Sequence, residues 1–230
     1  GAGARLNVVE DGVRRPLDTN ALSELISTSC EGLGNAVDPK VILQETLKNL
    51  YDGVPAEEVR KSAILSARQL IEKEPSYSKV TARLLMHSLR REVLGEEVMH
   101  EEMATRYAEY FPKFIKKGVQ AELLDEKLMQ FDLAKLGAAL QADRDLQFDY
   151  LGLQTLFDRY FLHVDEQRIE MPRFRSDLSR DEGLLFASDL CLKLLDVEEH
   201  DPRAVVWLAV VLHESLIGDR RRERLLADEL

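Results

Sequence analysis

The sequence predicts a mainly α-helical fold opened by one small β-hairpin, with a hairpin-plus-bundle domain followed by further helices. Residues 5–18, RLNVVEDGVRRPLD, set an Asp-Gly step at Asp11-Gly12 between two short runs. Asp-Gly in that setting is the strongest local hairpin signal, because Gly accepts positive φ without steric cost. From residue 19 to about 165, apolar residues recur at intervals of three and four, the spacing of amphipathic helices. No other stretch reads as a strand, so essentially no other sheet is expected.

The elements follow in order. Leu22, Leu25 and Ile26 lie on one helical face, with Asp18, Thr19 or Asn20 as N-cap and an interruption at Gly32 to Asn35. Asp38-Pro39 restarts a helix through Ile42, Leu43 and Leu47, stopped by Tyr51-Asp52-Gly53. Pro55 before Glu57 and Glu58 is a helix entry, and Val59, Ala63, Ile64 and Ala67 follow on one face. Another helix runs from about Tyr77 to Leu94 and closes at Gly95. A helix from Glu96 to Pro112 comes next, with loops near Pro112, Gly118 and Asp165. Leu153, Leu156, Phe157, Tyr160 and Phe161 read as one broad apolar helical face. The boundaries expected are 1–95, 96–172 and 173–230, the last a linker and helices around Trp207.

Composition narrows the function classes. Of 230 residues, 45% are apolar and 32% charged, the balance of a globular protein with a sizeable core. Forty-two acids against thirty-one bases give a formal charge of −11. Nucleic acid and anionic membrane both require clustered Lys and Arg, and the one dense basic run, Arg220-Arg221-Arg222-Glu223-Arg224, reads as a solvated helix face. Cys30 and Cys191 make neither a disulfide framework nor a thiolate metal site, which suits a cytoplasmic chain. Gly1-Ala2-Gly3-Ala4 is no signal peptide and reads as a cut end, and Ala204 to Leu212 is too short to span a bilayer.

Little in the chain points to catalysis. His87, His100, His163, His200 and His213 include no pair at the spacing that sets two imidazoles on one helix face, so no metal is expected. Nucleophile-elbow, P-loop and dinucleotide fingerprints are missing. Glu57-Glu58, Glu101-Glu102 and Glu198-Glu199 are adjacent and diverge on a helix, which fits solvated faces. Cys30 reads as a small buried hydrophobe.

Several strings in one order carry a resemblance: Tyr51-Asp52-Gly53, Glu74-Pro75-Ser76-Tyr77-Ser78, Ala82-Arg83-Leu84, and GLQTLFDRYF at 152–161. Over about residues 5–172 the chain resembles the N-terminal region of the large (alpha) subunit of class I ribonucleotide reductases. The resemblance implies that residues 5–95 are an ATP-cone, a small domain that senses ATP against dATP, and that the helices after it lead toward a catalytic barrel. A nucleotide in such a cone would lie near Val9, Glu10, Asp11, Gly12, Arg60 and Arg91. This cone departs from the binding pattern. Val9-Glu10-Asp11-Gly12 stands where binding cones read Lys-Arg-Asp-Gly, a helix Lys is replaced near Ala21, and the surroundings of Ala56 and Arg60 are altered. The expectation is a degenerate inner cone that binds no nucleotide or binds ATP or dATP only weakly, with no cofactor.

Neither Cys30 nor Cys191 matches the family's redox cysteines, so no catalytic residue is expected and the chain alone should be inactive. The leading reading is a regulatory or structural part of a reductase alpha subunit. Its partners would be other reductase subunits or a second copy, met through helical faces. The alternative is a non-enzymatic helical interaction module derived from a reductase, docking by the faces around Phe157 and Trp207.

Overall fold

A computed structural model describes residues 5–174, the side chain of Lys127 apart. In chain order the elements are β1 (Asn7–Glu10), β2 (Val13–Pro16), α1 (Thr19–Ser29), α2 (Pro39–Lys48), β3 (Val54–Pro55), α3 (Ala56–Arg68), α4 (Tyr77–Leu94), α5 (Met103–Gln120), α6 (Leu133–Ala138), α7 (Tyr150–Arg159), β4 (His163–Val164) and β5 (Gln167–Arg168). Short 3-10 turns link several of them. The mainly α class with a small opening hairpin is borne out. The described residues form two compact units: residues 5–91 with 146–160, and residues 92–145 with 161–174. The linker, Cys191, Trp207 and the basic run at 220–224 lie outside the described residues.

The first unit carries a three-stranded sheet in the order β2-β1-β3. Asp11 (φ 51°) and Gly12 (φ 77°) are both left-handed, the mirror-image turn whose twist suits a two-residue connection. Glu10 stands opposite Val13 and Val8 opposite Arg15. Because side chains alternate along a strand, Val8, Glu10, Val13 and Arg15 share one face of the hairpin.

β3 corrects the expectation of no further sheet. It runs parallel to β1, with Val8 opposite Val54. Gly53 N–H donates to the Asn7 carbonyl at 2.9 Å, and the Asp52 carboxylate accepts from both Asn7 N–H and Asn7 Nδ2, each at 2.9 Å. Two residues are too few to show alternation, and Pro55 also serves as the lead-in to α3 that the sequence indicates.

Helices α1 to α4 follow their periodicity. Asp18 accepts from Ala21 N–H at 2.9 Å, and Asp38 accepts from Lys40 N–H at 2.9 Å with Pro39 in the first turn, so caps set both starts. α1 packs on α2 and α2 on α3, burying Leu22, Ile26, Ile42, Val59, Ala63 and Ala67. Arg83 on α4 donates to the carbonyls of Ser29 at 3.2 Å and Glu31 at 2.8 Å, satisfying acceptors left open at the end of α1. α7 joins this unit through Tyr150 N–H to Ser78 Oγ at 3.0 Å and Lys79 Nζ to the Gln147 carbonyl at 2.6 Å.

In the second unit, α5 corrects two expected breaks, since it passes through both Pro112 and Gly118. A proline inside a helix costs about 3 kcal/mol. Against it stand Met103, Tyr107, Phe114 and Ile115, all at most 1% exposed, and burying such a side chain contributes roughly 1.5–3 kcal/mol. Packing wins over propensity. Gly118 is a site of close approach: a Cβ there would meet Leu124 Cδ1 at 2.4 Å. Gly137 of α6 does the same against α5, where a Cβ would stand 2.8 Å from the Ala108 carbonyl oxygen, the acceptor that Pro112 leaves without its helical donor.

The single helical face expected across 153–161 is also corrected. α7 ends at Arg159, Leu153 and Leu156 are buried on it, Tyr160 is exposed, and Phe161 is buried in the second unit beyond the helix. A second hairpin follows, β4 against β5, whose turn puts Asp165 (φ 50°) and Glu166 (φ 65°) in the left-handed region. Its register is held by Glu92 near the end of α4, which takes Arg168 Nη1 on both carboxylate oxygens at 3.1 and 2.9 Å.

Candidate functional site

The described residues bring together three of the groups picked out in the sequence, Glu10, Arg60 and Arg91. Glu10 ends β1 on the hairpin face that also carries Arg15, and its side chain is 17% exposed. Arg91, in the last turn of α4, donates from Nη2 to Glu10 Oε1 at 3.0 Å. Arg60, one turn into α3, sets Nη1 3.6 Å from the same oxygen. Arg15 pairs with Glu10 Oε2 from across the hairpin. Guanidinium groups from β2, α3 and α4 therefore converge on one carboxylate.

The electrostatics follow from that convergence. Burial alone would push the Glu10 carboxyl up, but Arg91 first, then Arg60 and Arg15, outweigh it and hold the group below the ordinary glutamate value. Charge-assisted bonds of this kind are the strong class of hydrogen bond. The Asp11 carboxylate is much more exposed and lies 3.9 Å from Arg91, while Gly12 supplies the turn. Val9 does not join the cluster, because alternation turns it to the face of Asn7 and Arg14. Ala21 is exposed on α1, and Ala56 begins α3 half-buried.

A second ion pair steadies the hairpin from that opposite face. Arg14 pairs with Asp52, whose carboxyl is held below its ordinary value by the two Asn7 donors and then by Arg14. Arg15, Arg14 and Asp52 are partners beyond the candidate site residues that the sequence singles out. The signal for Arg15 was present: with Asp11-Gly12 fixing the register, Arg15 is the diagonal same-face neighbour of Glu10.

Other candidate groups are dispersed. Cys30 is buried at the end of α1, and burial pushes its thiol up to about 11 despite the nearby Arg83, so it stays protonated and unreactive at neutral pH. His87 is buried, His100 pairs through Nε2 with Asp143 Oδ1 at 2.9 Å, and His163 is exposed in β4. Among the described residues no group of three His, Cys, Asp or Glu side chains is placed to hold a metal ion. A recess of about 610 Å³ lies over the start of α1 between Arg5, Leu17, Asp18 and Leu47, and none of the clustered arginines lines it.

Two of the strings that carried the resemblance hold structural positions in the first unit. Tyr51-Asp52-Gly53 docks β3 and Asp52 onto β1. Glu74 Oε1 accepts from Ser76 N–H at 3.0 Å and Ser76 Oγ at 2.7 Å, forming the turn before α4, and Tyr77 Oη accepts from Asp38 N–H at 2.8 Å.

No protein-family model matches the chain. Among curated proteins, the ribonucleoside-diphosphate reductase subunit alpha of Chlamydia muridarum is 34% identical over 164 residues, which is 71% of this chain and 16% of that protein. The subunit alpha of Helicobacter pylori is 29% identical over 171 residues, 72% of this chain and 20% of that one. The ribonucleoside-diphosphate reductase large subunit of Caenorhabditis elegans is 25% identical over 170 residues, 72% and 21% of the two chains. The chain thus spans between 16% and 21% of the length of these relatives.

Proposed function

Because the chain is homologous over 71% of its length to a ribonucleoside-diphosphate reductase alpha subunit, we propose that it is a regulatory or structural part of such a subunit, built around a cone that has lost its nucleotide. The observation that carries the loss is Glu10. Its carboxylate occupies the point on which Arg15, Arg60 and Arg91 converge. A phosphate oxygen brought to about 4 Å from that carboxylate would be repelled by roughly 1–4 kcal/mol, between the bulk-water and protein-surface limits. The arginines that could attract it are already engaged.

On this reading residues 5–174 perform no catalytic step, since the one cysteine among them is the buried Cys30. Reduction of a ribonucleotide would fall to other parts of the complete enzyme. Contact with other reductase subunits or a second copy runs through helical faces, and the exposed Leu65 of α3 and Leu151 of α7 support that assignment. A cytoplasmic setting belongs to the same proposal.

Isothermal titration of the full 230-residue chain with ATP and dATP tests it. The expected result is no saturable binding tighter than about 10 μM, near −7 kcal/mol. A tighter dissociation constant for either nucleotide would overturn the degenerate-cone reading.

A further inference from the structure

Three chain segments far apart in sequence meet at Glu10: the hairpin through residues 10 and 15, α3 through Arg60, and α4 through Arg91. The meeting is polar where the neighbouring layer is apolar, for Val8 on the same hairpin face is buried, as are Val59 of α3 and Leu89 of α4. Three guanidinium groups brought this close would repel one another without an anion among them. Such an anion can come from solution, or from the chain itself.

We propose that the Glu10 carboxylate is a tethered counter-anion that clamps the β1–β2 hairpin to α3 and α4, replacing a bound phosphate and making the conformation of this unit independent of any small-molecule effector. The proposal rests on the degenerate-cone reading and deepens it: the cone is held permanently in one state by its own sequence, and is more than a site that has stopped binding. The geometry supplies the reasons. Glu10 is held on a strand, so the anion is always delivered to the same place, and it engages guanidiniums through both carboxylate oxygens. A tethered group forfeits little translational freedom on pairing, whereas a free phosphate must be ordered each time. The guanidiniums around it hold the Glu10 pKa below the ordinary glutamate value, which keeps the carboxylate ionised at neutral pH.

Hydrogen–deuterium exchange on the full chain tests the clamp, with inorganic pyrophosphate as the external anion. In E10Q, nearly isosteric but uncharged, the amides of β1 and β2 should exchange about fivefold faster than in wild type, the size expected when a partly exposed ion-pair cluster is lost. Millimolar pyrophosphate should slow them again in E10Q and leave wild type unchanged. E10D keeps the charge on a side chain one methylene shorter and is the second arm: it should bind pyrophosphate no better than wild type, whether or not E10Q folds. Unchanged hairpin exchange in E10Q, equal protection of wild type by pyrophosphate, or tighter pyrophosphate binding by E10D would each overturn the clamp. The degenerate-cone reading fails on a different result, tight ATP or dATP binding by wild type, so the two are separable.

Discussion

Among the described residues, the carboxylate–arginine assemblies at Asp145 and at Glu10 differ in their surroundings. In the second unit, Asp145 accepts from Arg173 Nε at 2.8 Å on one oxygen and from the Tyr107 hydroxyl on the other, with side chains only 1% and 4% exposed for Asp145 and Arg173. Phe174, beside it, lies among four aromatic rings of α5, stacked on Phe114 with ring centroids 4.8 Å apart. In the first unit, Glu10 is 17% exposed and its partner Arg15 57% exposed. Water can replace a lost partner at Glu10 but hardly at Asp145. The difference teaches which pair is a fixture of the fold and which can exchange one anion for another.

Breaking the buried pair should have the largest effect. Asp145→Ala leaves Arg173 charged and buried without that carboxylate, and the expected loss is about 3–5 kcal/mol in urea unfolding followed by circular dichroism. A loss under about 1 kcal/mol would mean that water reaches this pair much as it reaches Glu10. Gly137→Ala comes next. Gly to Ala inside a helix ordinarily gains up to about 1 kcal/mol, but here the added Cβ would stand 2.8 Å from a backbone oxygen of α5, and a net loss of about 1–3 kcal/mol is expected. The sign decides whether the α5–α6 packing is as tight as described.

Glu10→Gln should cost the least stability, about 1 kcal/mol or less once solvent screening is counted. Its signature is instead pH dependence. The folded-state pKa of Glu10 lies below its unfolded value, so its contribution is present at neutral pH and disappears as pH falls through the folded value. The stability difference between wild type and E10Q should therefore shrink on acidification below the ordinary glutamate range. A difference that stays constant through that range would show that Glu10 gains nothing from its ionised form.

The sequence made the first unit more legible than the second, for physical reasons that particular residues show. Asp11-Gly12 announced the first hairpin because a two-residue turn with both φ positive favours Gly. The second hairpin uses Asp165 and Glu166 in the same region, with no Gly to mark it, and its strands are two residues each. Caps at Asp18 and Asp38 fixed helix starts that periodicity alone would blur. Pro112 and Gly118 read as breaks because local propensity disfavours both, and only tertiary burial of the α5 face keeps that helix whole. At the candidate site, Glu10, Arg60 and Arg91 came from the resemblance to cones; Arg15 was recoverable from register. The Asp145–Arg173–Tyr107 network had no sequence signal, since its members lie 28 and 38 residues apart without a motif.

Glu10 as an ionised partner of three arginines is the central claim, and its side-chain carboxyl carbon reports that state directly. In a carbon-13 NMR titration of the full chain, assigned by comparison with E10Q, the Glu10 resonance should titrate below the ordinary glutamate value, as the guanidiniums of Arg91, Arg60 and Arg15 require. A Glu10 carboxyl that titrates at or above that value would contradict the clamp and the reading built on it.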